Sequence, residues 1–433
     1  MHDGILNLIS LAGFLCIAGL AWCLSDSRRK ICWRPVIGGI ILQFVFAFIV
    51  FCAPEKLISP SIPGSRELFV LFSDLFNRFI EYSRQGITFV FGSLGSYNQT
   101  TGFILAFQVL PLIIIFSSLF SLLYYLGVMQ KLIRGFAVLF SKTMNISGAE
   151  SLSTSANIFV GIEASLAVRP YLAKMTRSEL FTIIVAGMAS VASSVLAIYV
   201  SYLNKDFPLI AGHLMSASIL SVPATFIITK LMIPETDTPE TRNIHDCKMY
   251  TDPDTNWIEA IINGAMNGAK LAVGVGVTLI AFVGLLGIFE GLIVYLQTKA
   301  GIVEPVTLIG MLSYLFKPFT FLMGIRPDDI NTVSNMLGTR LILTEIPAYQ
   351  ALAKFATDGG DPRTLVIASY ALCGFTHVAS MAIFIGGTGT LAPNQLPVMT
   401  KFGPRALLAA TFVTFLNGCT AGIFYWGQAG ILR

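Results

Sequence analysis

Asn157-Ile-Phe-Val-Gly-Ile-Glu163 is an apolar stretch that ends in an isolated glutamate, and Leu341-Ile-Leu-Thr-Glu345 is a second stretch of the same kind. The tripeptide Val-Ala-Ser follows each of them, at Val191–Ser193 and at Val378–Ser380. A carboxylate within the membrane costs several kcal/mol unless partners compensate it, so such residues mark functional sites. Two of them in matching contexts predict an internal repeat with a site between its halves.

The composition places the chain in the membrane. Of its 433 residues, 55% are hydrophobic and only 12% are charged, with a mean hydropathy of +0.74. A soluble domain carries about 25% charged residues, so the composition excludes a soluble enzyme and a disordered chain. Long apolar runs predict an all-α polytopic membrane protein rather than a β-barrel. We interpret the net charge of +4 as a loop bias, with no nucleic-acid partner, and predict neither disulfides nor zinc from the seven cysteines.

The N-terminus lacks the basic residues that open a signal peptide. It begins Met1-His2-Asp3, and the basic cluster Arg28-Arg29-Lys30 follows the first apolar run instead. This order is typical of a true membrane span that is retained in the protein. It predicts that residues 4–24 cross the membrane with the N-terminus outside, and that residues 25–35 lie in the cytoplasm.

Apolar runs predict about eight transmembrane helices, at residues 4–24, 36–53, 102–128, 180–203, 208–232, 270–297, 363–387 and 404–428. Three segments look amphipathic, at residues 66–93, 135–148 and 258–269, and the first of them is predicted to lie at the membrane interface. Residues 303–326 are apolar but contain Pro305 and Pro318, so their placement stays open.

Two further segments are too polar for a span and too apolar for a loop. Residues 149–172, with Gly161 near the middle, and residues 327–357 are predicted to form re-entrant helical hairpins of opposite orientation. Each hairpin precedes two spans, which is the inverted-repeat architecture of secondary transporters. We therefore divide the chain into an N-terminal region (1–101) and two repeat-bearing regions (102–257 and 258–433).

Three motifs resemble those of the concentrative nucleoside transporter family. Asn157-Ile-Phe-Val-Gly-Ile-Glu163 with Val168-Arg-Pro-Tyr-Leu172 resembles the family's N-x-F-V-G-Q-T-E and R-P-Y-L. Gly338-Thr-Arg340 with Glu345-Ile-Pro-Ala-Tyr349 resembles G-T-K and N-E-F-V-A-Y. Gly374-Phe-Thr-His-Val-Ala-Ser380 resembles G-F-A-N-F-S-S, and the order of hydrophobic segments agrees along the whole chain.

The resemblance implies a homotrimeric symporter, not an enzyme, that imports nucleosides by alternating access. A sodium ion or a proton is the implied coupling ion, no cofactor is implied, and a bacterial inner membrane is the expected location. Hairpins and broken spans are expected to move as a transport domain against the remaining spans. The alternatives are a symporter for a nucleobase or modified nucleoside, and a passive channel.

The resemblance also implies functional residues. The expected substrate contacts are Glu163, Glu345, Phe375, His377 and Ser380, and the expected sodium ligands are Asn157, Val160, Ser194 and Val195. The chain departs from the family beside both glutamates, where Ile162 replaces a Gln–Thr pair and Thr344 replaces Asn. We add Ile162 and Thr344 to the candidate substrate-binding residues. His377 stands where the family has Asn, so base preference stays open.

The sequence also allows other roles for these side chains. A glutamate can pair with an arginine, such as Arg169 or Arg340, to hold the fold. A desolvated glutamate can also relay protons, as can His377. Alternatively, His377 is a core residue bonded to a backbone carbonyl.

Overall fold

A computed structural model describes residues 3–52, 65–96, 103–241, 247, 254–302 and 305–427. It does not extend to the side chains of residues 65–69, 72, 162 and 163. The roles expected of the Ile162 and Glu163 side chains therefore lie outside the described residues. All regular secondary structure in these segments is helical, which confirms the predicted class.

The helices follow one another without intervening strands in the described segments. They are α1 (Asp3–Cys23), α2 (Trp33–Phe51), α3 (Ser65–Phe91), α4 (Leu105–Gln108), α5 (Leu110–Tyr125), α6 (Val128–Met144), α7 (Gly148–Val160), α8 (Arg169–Leu172), α9 (Arg177–Ala189), α10 (Ser193–Leu203), α11 (Ile210–Met232), α12 (Trp257–Lys299), α13 (Leu308–Leu322), α14 (Ile330–Ile342), α15 (Glu345–Thr357), α16 (Pro362–Leu372), α17 (Val378–Leu391) and α18 (Leu396–Phe424).

Seven helical segments of the described chain are long and apolar enough to cross a membrane. They are α1, α2, α4 with α5, α9 with α10, α11, α12, and α18 with the turn before it. The remaining predicted span, residues 363–387, is divided into two shorter helices, α16 and α17. The apolar segment left open at residues 303–326 contains α13, with Pro318 inside the helix.

The order of elements repeats within the chain. Each half consists of a helix pair, a broken helix and a long helix. In the first half these are α7 with α8 (joined by a tight helical turn), α9 with α10, and α11. In the second half they are α14 with α15, α16 with α17, and α18. These pairs occupy the segments predicted as hairpins, and their entry into the membrane from opposite sides stays a prediction.

A glycine ends the first helix of the first pair, as the sequence predicts. Gly161 has φ of 50°, a backbone conformation that L-residues with a side chain rarely adopt. A Cβ at this position would also lie 3.0 Å from the Cβ of Ala192, in the break between α9 and α10. The hairpin turn therefore rests directly on the broken helix behind it.

The two broken helices meet at their breaks. The backbone N–H of Phe375, between α16 and α17, donates to the carbonyl of Ser190, between α9 and α10, over 3.4 Å. A Cβ at Gly374 would lie 2.7 Å from Cγ2 of Thr414 and 3.1 Å from the carbonyl oxygen of Ala189, so a side chain there would push these neighbours away. The unwound segments of both halves thus lie side by side in the interior.

Helix α12 is the longest element and packs along α5. Its 43 residues span about 65 Å at 1.5 Å per residue. Gly264 and Gly268 allow the contact, because a Cβ at either would lie less than 3 Å from atoms of α5. The amphipathic segment expected at residues 258–269 is therefore the start of this continuous helix, not a separate element.

The other long helices surround the broken ones. α1 packs on α18 and α11, and α2 packs on α11. α18 packs on α9 and α16, and α11 packs on α9. Helices α11 and α18 therefore pack against the broken helices, and α1 and α2 pack on them in turn, while the division into a moving domain and a static scaffold stays a prediction.

Candidate functional site

A cavity of about 670 Å³ lies where the two breaks and the helix pairs face α5 and α12. Its wall includes eight residues singled out from the sequence: Val160, Ser194, Val195, Thr344, Glu345, Phe375, His377 and Ser380. Asn157 does not line the cavity and lies buried in α7. The fold therefore brings together candidates from both halves of the chain.

Glu345 is the first residue of α15 and is 2% exposed. The hydroxyl of Thr344 accepts a bond from the N–H of Ile346 over 3.3 Å, which begins the helix. A negative charge is favoured at such a helix start. The Glu345 Oε1 atom accepts a hydrogen bond from the Tyr199 hydroxyl over 2.8 Å, whereas Oε2 is buried without a donor among the described residues.

Arg340 does not neutralise Glu345 in an ion pair. Its guanidinium is buried and donates to the carbonyl of Ala371, near the end of α16, and to the Thr414 hydroxyl over 3.2 Å. Carbonyls in the last turn of a helix lack partners within the helix, and a positive charge there is favourable. The alternative in which Arg340 pairs with Glu345 is therefore wrong for this structure.

His377 begins α17 as its N-cap. Its Nδ1 atom accepts the backbone N–H of Ser380 over 3.2 Å, so a neutral ring carries its hydrogen on Nε2. That Nε2 atom lies 3.2 Å from the Oε2 atom of Glu345, although the contact lacks hydrogen-bond geometry. The alternative of a core histidine bonded to a backbone carbonyl is not what the structure has.

Phe375 and Ser380 complete this side of the cavity. The half-buried Phe375 ring lies edge-on to the His377 ring, with centroids 6.2 Å apart. The Ser380 hydroxyl donates to the carbonyl of Phe375, and it also lies 2.7 Å from the carbonyl of His377. Ser380 therefore holds the unwound segment in shape, since its hydrogen is already committed to the backbone.

Two buried oxygen atoms, one in α7 and one in α10, have no donor among the described residues. Asn157 donates from Nδ2 to the carbonyl of Ser153 over 3.2 Å, and its Oδ1 atom has no partner among the described residues. The hydroxyl oxygen of Ser193, at the start of α10, is also buried without a partner there. Helix α7 packs on both α9 and α10, and neutral oxygen ligands of this kind suit a hard cation such as sodium.

Several lining residues were not found from the sequence. They are Ser117, Ser121, Tyr124, Asn267 and Lys270 of α5 and α12. Tyr199 and Ser193 do not line the cavity, but their contacts make them further candidates for a role in the site. Lys270 interrupts an apolar helix and could have been found by the argument that identified Glu345. Tyr199 offered no such signal, because a tyrosine in an apolar helix is ordinary.

Family models cover most of the chain. The Na+ dependent nucleoside transporter C-terminus matches residues 213–422, and its N-terminus matches residues 12–94. A nucleoside recognition (Gate) model matches residues 106–206. The chain belongs to the concentrative nucleoside transporter family. It is therefore a multi-pass membrane transporter and not an enzyme.

Relatives of this family member extend along its whole length. An uncharacterized transporter of Haemophilus influenzae is 36% identical over 96% of this chain and 97% of its own length. Sodium/nucleoside cotransporter 1 of Rattus norvegicus is 34% identical over 97% of this chain. The match spans 64% of the rat protein's length.

Solved structures of the family share the fold. CNTnw in an inward-facing, substrate-bound state is 33% identical, with a TM-score of 0.86, over 97% of this chain and 98% of that one. A doubly substituted CNTnw in an outward-facing state is also 33% identical, with a TM-score of 0.86, over 96% and 97% of the two chains. This fold occurs open to either side, and the chain is a nucleoside transporter that works by alternating access.

Proposed function

We propose that the chain is a sodium-coupled symporter that imports nucleosides, with Glu345 and His377 binding a sugar hydroxyl. One observation supports the assignment of the substrate: Oε2 of Glu345 is buried without a donor among the described residues, 3.2 Å from Nε2 of His377. A hydroxyl both donates and accepts. It can donate to Oε2 and accept from the Nε2 hydrogen, and the donation is a charge-assisted bond.

The rest of the site follows from the cavity and the family motifs. Phe375 offers an aromatic surface beside the pair, suited to a nucleobase or a sugar face. Thr344 lies next to Glu345 on the wall. Glu163 and Ile162 are proposed as the contribution of the first hairpin, by resemblance to the family motif. Ser380 is proposed to act on substrate through the backbone that it holds.

Sodium is the proposed coupling ion. The Oδ1 of Asn157 and the hydroxyl of Ser193 are buried oxygens without donors among the described residues. Val160, Ser194 and Val195 line the cavity and are proposed to contribute further oxygen atoms. The family models describe Na+ dependent proteins, which agrees with this choice.

The proposed moving unit is larger than the hairpins. It comprises the two helix pairs and the broken helices α9–α10 and α16–α17, which line the cavity opposite α5 and α12. Helices α5 and α12 form the proposed static wall. A homotrimer is proposed from the resemblance to the family, and the exposed apolar surface of α12 is available to lipid or to a partner copy. A bacterial inner membrane is the proposed location, with the Haemophilus influenzae relative in support.

The decisive experiment is uptake of labelled uridine, adenosine and guanosine into vesicles that contain the purified protein. Sodium and pH gradients are imposed separately. We expect saturable accumulation above the outside concentration with a sodium gradient, and none with a pH gradient alone. Equilibration without accumulation would support a passive channel. Competition by free nucleobases but not by nucleosides would support the alternative solute.

A further inference from the structure

We infer that Tyr199 is a positioning residue for the substrate, because it orients the carboxylate of Glu345. The inference rests on the proposed binding of a sugar hydroxyl by Glu345. Tyr199 lies in α10, in the first half of the chain, and Glu345 lies in α15, in the second. Its hydroxyl donates to Oε1 of Glu345 over 2.8 Å, and both residues are almost fully buried.

A carboxylate needs such a partner to hold one orientation. The terminal torsion of a glutamate is broad, so the plane of the carboxylate turns easily when no donor holds it. Tyr199 holds that plane by donating to one of the two equivalent oxygens, Oε1. Oε2 then faces His377, whose Nε2 atom lies 3.2 Å away. Glu345 therefore presents a single oxygen to the cavity, and that oxygen is matched to one substrate hydroxyl.

A second tyrosine packs against the first through its ring and not through its hydroxyl. The Tyr199 ring stacks on the Tyr349 ring, with centroids 4.1 Å apart and planes 9° from parallel. Tyr349 lies one turn after Glu345 on α15, and its own hydroxyl donates to the carbonyl of Ser369 over 2.8 Å. The stack joins the two halves of the chain beside the carboxylate. The orientation of the Glu345 carboxylate therefore depends on how α10 packs against α15.

The same stack provides a matched control. Tyr199→Phe and Tyr349→Phe each delete one buried hydroxyl and keep both rings. Only the first removes a bond to Glu345. A carboxylate that is no longer held in place weakens its charge-assisted bond to the substrate hydroxyl, and loss of such a bond corresponds to about tenfold or more in binding. We expect Tyr199→Phe to raise the half-saturating uridine concentration by about that factor, and Tyr349→Phe to leave it within about twofold of the unaltered protein.

A substrate series separates positioning from general damage. Uptake of uridine is compared with that of its 2′-, 3′- and 5′-deoxy analogues in the unaltered protein and both variants. The unaltered protein should discriminate most strongly against the analogue that lacks the hydroxyl bound by Oε2. Tyr199→Phe should lower that discrimination ratio by about tenfold, whereas Tyr349→Phe should preserve it.

The outcomes distinguish this inference from the proposed function. Equal effects of the two variants, or an unchanged discrimination ratio in Tyr199→Phe, overturn the role of Tyr199 while leaving nucleoside transport intact. Failure of Tyr199→Phe to fold, where Tyr349→Phe folds, makes the hydroxyl structural and also overturns it. No saturable nucleoside uptake by the unaltered protein contradicts the proposed function, and the inference with it.

Discussion

The Nε2 atom of His377 lies 3.2 Å from the Oε2 atom of Glu345, although the two residues begin different helices, α17 and α15. Each residue is held by a separate bond on its far side. Tyr199 binds Oε1 of Glu345, and the Ser380 N–H binds Nδ1 of His377. The two atoms that face each other are therefore an acceptor and a donor left for a third group.

Glu345→Gln tests the acceptor. The amide keeps the size of the side chain but loses the charge that strengthens a bond from a hydroxyl. We expect uptake of uridine at low concentration to fall at least about tenfold, with unchanged amounts of protein in the membrane. Glu290→Gln is the control, because Glu290 lies on α12 outside the cavity. Normal uptake by Glu345→Gln would remove Glu345 from the site. The sequence motif predicts a similar loss for Glu163→Gln.

His377→Asn tests specificity by restoring the residue of the family motif. Asparagine is a strong N-cap, so α17 keeps its start and the protein should fold. We expect the variant to transport uridine but to rank uridine, adenosine and guanosine differently in competition, because an amide places its donor and acceptor elsewhere than an imidazole. His377→Ala serves as the comparison, since it removes the cap and costs about 1 kcal/mol. Identical competition profiles for the unaltered protein and His377→Asn would exclude a role in specificity.

Asn157→Leu and Ser193→Ala test the cation site. Each removes a buried oxygen without a donor among the described residues. We expect the sodium concentration for half-maximal uptake to rise about tenfold or more in Asn157→Leu. Uptake at saturating sodium and uridine should change less. A binding assay by sodium-dependent thermal stabilisation of the purified protein gives a second reading.

Ser151→Ala is the control for this pair. Its hydroxyl donates to the carbonyl of Gly148 within the same helix, so its loss should not affect sodium. An equal rise in the sodium requirement of all three variants would point to disturbance of α7 as a whole. An unchanged requirement in Asn157→Leu would place the ion elsewhere.

Lys230→Met tests a buried ion pair away from the cavity. Lys230, near the end of α11, lies 2.7 Å from Oε2 of Glu150 in α7, with side chains 4% and 2% exposed. Its amine also donates to the Ser178 hydroxyl over 3.0 Å. Removing one partner leaves an uncompensated buried charge, so we expect a loss of about 3–5 kcal/mol in unfolding free energy. Thermal unfolding in detergent measures it.

Two further variants serve as controls for the stability of Lys230→Met. The double variant Lys230→Met with Glu150→Gln should recover much of the stability, because it removes both charges. Lys174→Met breaks an exposed pair with Glu240 and should leave the melting temperature unchanged. A Lys230→Met protein as stable as the unaltered one would show that Glu150 does not depend on this charge.

Local chemistry made part of this architecture predictable. The length of apolar runs decides whether a helix can span a membrane, and the break at Gly161 follows from a residue that tolerates positive φ. Isolated charges in apolar surroundings led to Glu345, since their cost can be assessed without knowing the fold. The family motifs then led to Phe375 and His377.

Which atoms of these residues lack a hydrogen-bond partner among the described residues depends on the tertiary structure. The bond between Tyr199 and Glu345 joins residues 146 positions apart, so no local pattern contains it. Likewise, the orphan oxygens of Asn157 and Ser193 are known only once every neighbouring donor has been placed. The membrane-spanning helices, the repeat and Glu345 were predictable from the sequence, because apolar length, glycine conformation and the cost of a buried charge are local properties. Most of the other candidate residues came from the family motifs. Only packing between the two halves decided that Glu345 turns one oxygen to Tyr199 and the other to the cavity, because hydrogen-bond partners depend on how distant helices meet.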